Sequence, residues 1–547
     1  MRVTEMIRWQ YSNSQSLTIP NTSVSLWLQG LVIFVIALFI RSSFLDWPLR
    51  FDEFYHILAA RSWAIDGSFT ILEGEYTRVP LFTALVGWLF STFGESIEIA
   101  RLPSLLAGSL NVLLIYLFVN RYVGITAALI AALFFIFDPV AISLSTQVRF
   151  YALQGLLFWI AAILVFYGTH HSICLHHRLR IALIIFPVLM LAAYLQPITL
   201  IGGVGFAVWI IIEHRTVIVD LFRRFVLTHP AWSALIGLTL FTVLLLTKNS
   251  ISDIWVMYRH APGWLMEYKD NPLFYPYQLI KQYPIFWSFF PVAAMFAIKS
   301  NKRIVVFCSV MFITLLLLHS FAGSKYPRYF NYALPFFFII WGIFLADVFQ
   351  TFRDLVTQNM PKRLGEHRKI SGNVVAITLF AYAILSLSAA TYYQRTKYLQ
   401  TLEASKGKWI SAEPLLKQLA NQVDIVMVTD NNRAIYHIGR YDYAISPSVV
   451  RETETGKEFG RDSRDGGHII GTAQSIEKIL DCTKSGIFVS SERKWRNATF
   501  GIDNEGADIL LERTQIVQTP SEWDLIIRFW RSPNRNDTPE CNDIPRR

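Results

Sequence analysis

The chain has 547 residues, of which 53% are hydrophobic and only 16% charged, with a formal charge of +10 and a mean hydropathy of +0.37. Soluble globular proteins carry about 25% charged residues, so a wholly soluble architecture is excluded. The basic excess does not read as nucleic-acid binding either, because Lys and Arg gather in short loops between apolar runs, where they act as orientation signals.

The first 25 residues are polar and read as a cytosolic N-terminal segment, and the apolar run from Leu26 lacks a small-residue cleavage site, so it reads as a retained anchor. A membrane-spanning helix needs about 20 mainly apolar residues, ~17 at the least. Runs of this kind occupy 26–42, 103–120, 123–142, 149–168, 180–196, 198–213, 230–247, 283–298, 303–322, 329–350 and 373–391. The shorter run 80–93, closed by Phe93-Gly94-Glu95, is assigned to an interfacial or re-entrant helix. Leaving it out of the count places Arg121, Arg178, Arg180, Arg215, Arg223-Arg224, Lys299, Lys302-Arg303, Arg353, Lys362-Arg363 and Arg368-Lys369 on one side. Positive charge marks the cytosolic side. The expectation is therefore a polytopic α-helical membrane protein of about 11 spans over 26–391, multi-pass in a plasma or inner membrane, with its N-terminus in the cytosol.

Beyond about Gln394 the patterning changes. Val423 to Val428 reads as a buried strand ending in the turn cluster Thr429-Asp430-Asn431-Asn432, followed by a short helix over Arg433 to Ile438. Ser475 to Leu480 reads as another helix, with strands at Ile487 to Val489 and Leu525 to Phe529. Residues 395–531 are thus expected to form a small soluble α/β domain outside the cytoplasm, and 532–547 a disordered tail. Arg464-Asp465-Gly466-Gly467 reads as a polar turn, not a phosphate loop. Of the four Cys, Cys482 and Cys541 lie in this tail region and can pair in an oxidising compartment. No Cys/His spacing suits a structural zinc, so no metal ligands are assigned.

The outer loops under this topology are 43–102, 143–148, 248–282 and 323–328. The first contains Arg50-Phe51-Asp52-Glu53-Phe54-Tyr55-His56, and charge beside a membrane span is a functional signal by default. A carboxylate at a membrane–water boundary suits general-base work on an acceptor hydroxyl. Acidic residues at a helix N-terminus, where they favour the dipole, explain Asp52 and Glu53 equally, and both readings hold together. Arg78, Arg149, Lys325 and Arg328 fall on the same outer face, with snorkelling at helix ends as the alternative to a joint anion clamp. Tyr55, His56, Tyr76, Tyr151 and Tyr329 are the expected cavity-lining residues, and Tyr275 and Tyr277 belong to a long aromatic loop that reads as a cover.

Asp52-Glu53 with Tyr55, then Gly67, Pro80-Leu81, Gly94 and Arg101-Leu102-Pro103-Ser104, resembles the glycosyltransferases of the GT-C fold. The order of segments is most similar to the protein O-mannosyltransferase and aminoarabinose-transferase group. Gln147-Val148-Arg149-Phe150-Tyr151 and Lys325-Tyr326-Pro327-Arg328-Tyr329 with Pro335 resemble two further motifs of that group. The likeness is clearest over 26–170 and absent from the tail; Val79 stands where relatives often carry a first proline. It implies transfer of a sugar, with inversion, from a polyprenyl-phosphate (dolichyl- or undecaprenyl-phosphate) donor to an extracytoplasmic protein, glycolipid or polysaccharide. It further implies Asp52 as catalytic base, Glu53 as a second site residue assisting acceptor or donor binding, and Arg78, Arg149, Arg328 and Lys325 on the donor phosphate. No cofactor is required, and a divalent cation is compatible. Two rivals stay open: transfer of a lipid-linked oligosaccharide, and a membrane transporter or lipid translocase. Uninterrupted apolar runs and charge gathered at one face weigh against transport.

Overall fold

The computed structural model describes residues 24–45, 47–229, 239, 253, 255–261, 266–359, 374, 378, 408–446, 458–498, 501–532, 541, 544 and 545. The expected spans at 230–247 and 373–391 lie almost wholly outside the described residues. Within them, five helices are long and apolar enough to cross a membrane, or up to seven when each bent pair counts as one span. The chain is an integral membrane protein.

Helix α1 (Val24–Ser42) leads to α2 (Phe51–Asp66), which Gly67 ends in the left-handed conformation at φ 78°. The run 80–93 forms α3 (Pro80–Phe93), a separate 14-residue apolar helix. Helix α4 (Ile97–Tyr122) starts six residues before the apolar run that announced it, because Ser96 caps it by accepting from the Ile99 N–H at 3.1 Å. A hydropathy window rejects Glu98 and Arg101, yet both lie inside the helix.

The expected span 123–142 is broken into α5 (Ile125–Ile136) and α6 (Pro139–Ser145), which meet at 63°. Asp138 precedes a proline, which disfavours helical backbone at that residue. Its carboxylate then caps α6 from the Ala141 N–H at 2.7 Å. The break turns the chain toward the segment that carries Arg149. Next come α7 (Tyr151–Gly168), α8 (Leu175–Leu195), α9 (Leu200–Glu213) and α10 (Arg215–Thr228). Only 17% of the spanning window of α8 is buried; an apolar helix so exposed presents its surface to lipid.

The run 283–298 is also interrupted, and its main helix is α11 (Phe290–Ser300). Helices α12 (Lys302–Phe321) and α13 (Leu334–Asn359) complete the bundle, the latter preceded by a 3-10 turn over Pro327–Ala333. α13 packs tightly along α5: a Cβ on Gly342 would come within 2.7 Å of the Ala127 carbonyl oxygen, so only glycine permits this approach.

Past α14 (Trp409–Ala420) the chain builds a seven-stranded sheet. Its strands are β3 (Ile425–Val428), β4 (Tyr443–Ile445), β5 (Phe459–Arg461), β6 (His468–Ile470), β7 (Ser485–Ser491), β8 (Gln515–Ile516) and β9 (Leu525–Arg531), in the order β5-β6-β4-β3-β7-β9-β8. The central four strands, β6, β4, β3 and β7, are parallel, and both flanks are antiparallel. Their buried apolar runs fit a sheet covered on both faces. Helices α15 (Asn431–His437), α16 (Ala473–Cys482) and α17 (Asn504–Arg513) accompany it. The described residues of the tail expected to be disordered are instead anchored: Cys541 is disulfide-bonded to Cys482, Ile544 is buried, and Tyr443 donates to the Pro545 carbonyl at 2.7 Å.

This domain sits against the segment between α1 and α4. A short hairpin, β1 (Thr70–Ile71) and β2 (Gly74–Glu75), projects from that segment, and the Glu73 and Gly74 N–H groups donate to the Asp465 carbonyl at 3.1 and 2.9 Å. The turn expected at 464–467 is therefore an interdomain clasp.

Candidate active site

α2 begins where the Glu53 side chain turns back to accept from the Arg50 N–H at 2.9 Å. The same carboxylate forms a two-point pair with Arg101 of α4, at 3.1 and 3.2 Å, and accepts from the Val148 N–H at 2.8 Å. Arg101 uses its remaining nitrogen on the Leu45 and Trp47 carbonyls, each at 2.7 Å. Glu53 is 0% and Arg101 1% exposed, so this pair is closed to solvent and to any substrate. Glu53, expected to assist acceptor or donor binding, instead has its oxygens committed within the protein and is the knot that joins four segments of chain.

That knot places Arg149. Val148 is tied to Glu53, and the Arg149 carbonyl accepts from Ser104 at 2.7 Å. The Arg149 side chain, 2% exposed, then reaches Asp52: its Nη1 lies 3.0 Å from Oδ2, and its Nη2 donates to the Tyr151 hydroxyl at 3.2 Å. Arg328, on the 3-10 turn before α13, approaches the same Oδ2 at 3.3 Å. Its guanidinium lies 4.4 to 5.5 Å from the rings of Tyr326, Tyr329 and Tyr151. Residues 52, 149 and 328 thus converge on one oxygen, and Tyr151 and Tyr329 line the convergence. Burial raises the Asp52 carboxyl, but Arg149, Arg328 and Arg78 more than offset it and hold the group below the ordinary aspartate value.

Arg78 is exposed and stands over the Phe150 ring at 5.8 Å, acting on Asp52 at longer range. Next to it Val79 adopts φ 52°, ψ 59°, a left-handed conformation that a β-branched residue before proline rarely takes. Such a backbone costs about 1–3 kcal/mol and persists only where its surroundings impose it.

The remaining expected residues divide. His56 is buried, with Nδ1 2.9 Å from the Thr83 hydroxyl and Nε2 3.5 Å from the Tyr76 hydroxyl. Burial, then the charges of Arg149 and Arg78, keep it well below the ordinary histidine value, so it is neutral. Tyr76 stacks on Tyr55 at 5.5 Å. Tyr55 itself is taken up by the C-terminal domain, accepting from Asn431 at 3.0 Å with Arg464 over its ring at 4.6 Å. Lys325 is also drawn away: its Nζ donates to the Lys269 carbonyl at 2.6 Å and to that of Ala322, and burial lowers its pKa to about 8. It fastens the segment around Lys269 to the end of α12. Tyr275, expected in the cover, is a buried core residue, whereas Tyr277 is 60% exposed. Among the described residues no group of three or more His, Cys, Asp or Glu side chains is arranged to hold a metal ion.

The sequence places Arg101 only in a motif and Asn431, Asn432 and Arg433 only in a turn and a short helix, with no sign of their part at the site. The available signal was the polar cluster at the end of β3, which reads as a turn unless its docking partner is known.

A helical membrane bundle that gathers charge at one face, followed by an α/β domain resting on that face, is a fold of the GT-C type. The particular structures it matches include ArnT from Cupriavidus metallidurans, bound to undecaprenyl phosphate and in the apo state. Each has a TM-score of 0.57 and 14% identity, covering 92% and 91% of this chain and 97% of theirs. The archaeal oligosaccharyltransferase AglB from Archaeoglobus fulgidus, in complex with an inhibitory peptide and a dolichol-phosphate, matches with a TM-score of 0.51 and 12% identity, over 93% of this chain and 75% of that one. No family model and no curated protein matches the sequence. At these identities the likeness is one of fold.

Proposed function

We propose that this protein is an inverting glycosyltransferase that moves a sugar from a polyprenyl-phosphate donor to an acceptor hydroxyl on the non-cytosolic side, with Asp52 as general base. The observation that carries this reading is the sharing of one Asp52 oxygen by Arg149 and Arg328, at 3.0 and 3.3 Å. Two guanidiniums and one carboxylate leave a single positive charge, which a sugar phosphodiester monoanion neutralises. In the reaction the acceptor oxygen attacks the anomeric carbon, its proton passes to Asp52, and the carbon–phosphate-oxygen bond breaks. The departing lipid phosphate is a monoester whose second pKa is about 6, so it leaves as a near-dianion. Two arginines and a neutral Asp52 then balance it. The site's charge is matched to the donor before transfer and to the lipid phosphate after it.

Pairing with two arginines makes a carboxylate a weak base, and the ideal base titrates near the working pH. The donor phosphate competes for the same guanidiniums, and as they turn to it Asp52 regains basicity. Donor binding and base activation are one event. ArnT bound to undecaprenyl phosphate and AglB with dolichol-phosphate support the lipid class, and the closed pair between Cys482 and Cys541 supports a C-terminal domain outside the cytosol. On the same reading residues 26–391 form the catalytic membrane domain and 395–531 the extracytoplasmic one, with the N-terminus in the cytosol.

The test is sugar transfer by the purified protein from polyprenyl-phosphate sugars to extracytoplasmic glycan acceptors. Asp52→Asn is expected to lower the rate by about 10²–10⁴-fold while donor-lipid binding persists. Transfer undiminished by that change overturns the proposal.

A further inference from the structure

The turn after β3, Asn431-Asn432-Arg433, reaches the first two turns of α2 with all three side chains, while Asn431 also donates to Asp462 at 3.2 Å and Asp465 at 2.8 Å and Arg433 also pairs with Asp430 at 3.6 Å. Asn432 donates from Nδ2 to the Phe51 carbonyl at 2.6 Å, Asn431 donates to the Tyr55 hydroxyl at 3.0 Å, and Arg433 lies 5.7 Å over the Phe54 ring. Asn432 is 0% exposed. Its Oδ1 accepts from the Arg433 N–H at 2.9 Å, which fixes the orientation of the amide so that Nδ2 faces the carbonyl.

The place in the sheet explains why this turn is available. From β3 the chain proceeds to β4 and β6 on one side and returns to β7 on the other, so the loops after β3 and β7 meet at a switch point. Open α/β sheets bind their ligands at the carboxyl ends of the strands there. In this protein Lys494, after β7, ties the two ends together through the Thr429 carbonyl at 2.6 Å and Asp430 at 2.8 Å. The start of α2 docks beside them. The edge of the domain suited to a ligand holds a helix of its own chain.

We propose that Asn432 is a positioning residue for the Asp52 carboxylate. The Phe51 carbonyl belongs to the peptide bond that leads into Asp52, so the Asn432 amide sets the backbone from which that carboxylate projects toward Arg149 and Arg328. Glu53 anchors the opposite side of the same turn through Arg101 and Val148. Asp52 is therefore held between the membrane bundle and the C-terminal domain, and the domain sets the rate of transfer. This inference rests on the transferase reading above for its catalytic consequence, and on geometry alone for the anchoring.

The experiment uses the full chain in detergent or nanodiscs. In Asn432→Asp the oxygen facing the Arg433 N–H is kept, but the side chain no longer donates to the Phe51 carbonyl. The expected result is a fall in kcat of roughly 10- to 100-fold with donor KM within about two-fold, as a misplacement of about 1 Å predicts. Hydrogen exchange at amides 52–56 is expected to quicken by about 10-fold as the turn loosens. Asn432→Ser, small and uncharged, carries the same two readouts if the aspartate variant does not accumulate, and Asn432→Gln is expected to recover part of kcat. Arg461→Ala, which breaks only a half-exposed pair with Glu73 at 3.3 Å, serves as the interface control and is expected to change neither readout.

Unchanged kcat and unchanged exchange in both variants overturn the proposal. So does a loss of kcat that merely tracks the loss of folded, donor-binding protein. If the unmodified chain transfers nothing from any polyprenyl-phosphate sugar while exchange at 52–56 responds as expected, the transferase reading fails and the anchoring stands.

Discussion

Asp52 and Arg149 form an unequal pair: the carboxylate side chain is 31% exposed, the guanidinium 2%, and they meet at 3.0 Å. The cation is buried in the protein and the carboxylate is the more exposed partner, so an arriving phosphate competes with Asp52 for Arg149. Because its cations hold Asp52 below the ordinary aspartate value, it stays ionised down to that depressed value and loses its charge only as pH falls through it. In the free enzyme, the acid limb of kcat/KM is expected below the ordinary carboxylate range. Arg149→Gln and Arg328→Gln are each expected to move that limb upward, which a pH profile of kcat/KM measures directly.

Arg328 and Lys325 lie three residues apart and are expected to behave oppositely. Arg328→Gln removes a cation from the shared oxygen and is expected to raise donor KM by about 10-fold or more, since a charge-assisted contact is worth roughly 1.5–3 kcal/mol. Lys325→Gln, whose ammonium is committed to main-chain carbonyls, is expected to leave donor KM nearly unchanged. Steady-state kinetics on the two variants separate them.

Removing Arg101 leaves the Glu53 carboxylate buried without its partner, a change that costs about 3–5 kcal/mol. Arg101→Ala is expected to lower the melting temperature and the yield of folded protein. Arg101→Lys does not restore it, because an ammonium cannot reproduce the fork that meets Glu53 twice and two carbonyls besides. Thermal unfolding monitored in detergent checks both.

His56 resists protonation in the folded chain, so between its depressed value and the ordinary 6.5 the unfolded state binds a proton that the folded state does not. Stability from this group is fully present above about pH 6.5 and falls as pH drops through that window. His56→Gln, neutral at every pH, is expected to flatten this part of the stability–pH curve while retaining the link to Thr83. Unfolding midpoints between pH 5 and 8 measure the difference.

The disulfide between Cys482 and Cys541 closes a separation of 59 residues and holds the last described segment on the sheet. Opening it with reductant, or by Cys541→Ser, is expected to cost about 2–4 kcal/mol. The loss should appear as an earlier melting step of the C-terminal domain.

The bundle was legible where apolar runs are long, as in α7 and α12, because burial in lipid imposes a length that the sequence must show. It was misread where backbone chemistry intervenes. Asp138-Pro139 breaks one run at 63°, and the charged first turns of α4 hide its true start at Ile97. The strands Tyr443–Ile445 and His468–Ile470 are only three residues each and offer too little periodicity to be seen. Within the site, Asp52, Arg149 and Arg328 were all named beforehand, since charge at a membrane boundary stands out against its surroundings. Lys325 shares that signature, and Tyr55 lies beside it in sequence, but both are drawn elsewhere by partners more than 50 residues distant.

By itself the sequence determined that the chain lives in a membrane, that its charge collects on one face, and which side chains are chemically able to act there. Hydrophobicity and charge are properties of residues and survive without coordinates. Which of two adjacent acids stays partly exposed beside Arg149 and Arg328, and which is sealed against Arg101, was decided only by tertiary structure. A buried carboxylate must find its partners in segments far along the chain, and only folding brings those segments together.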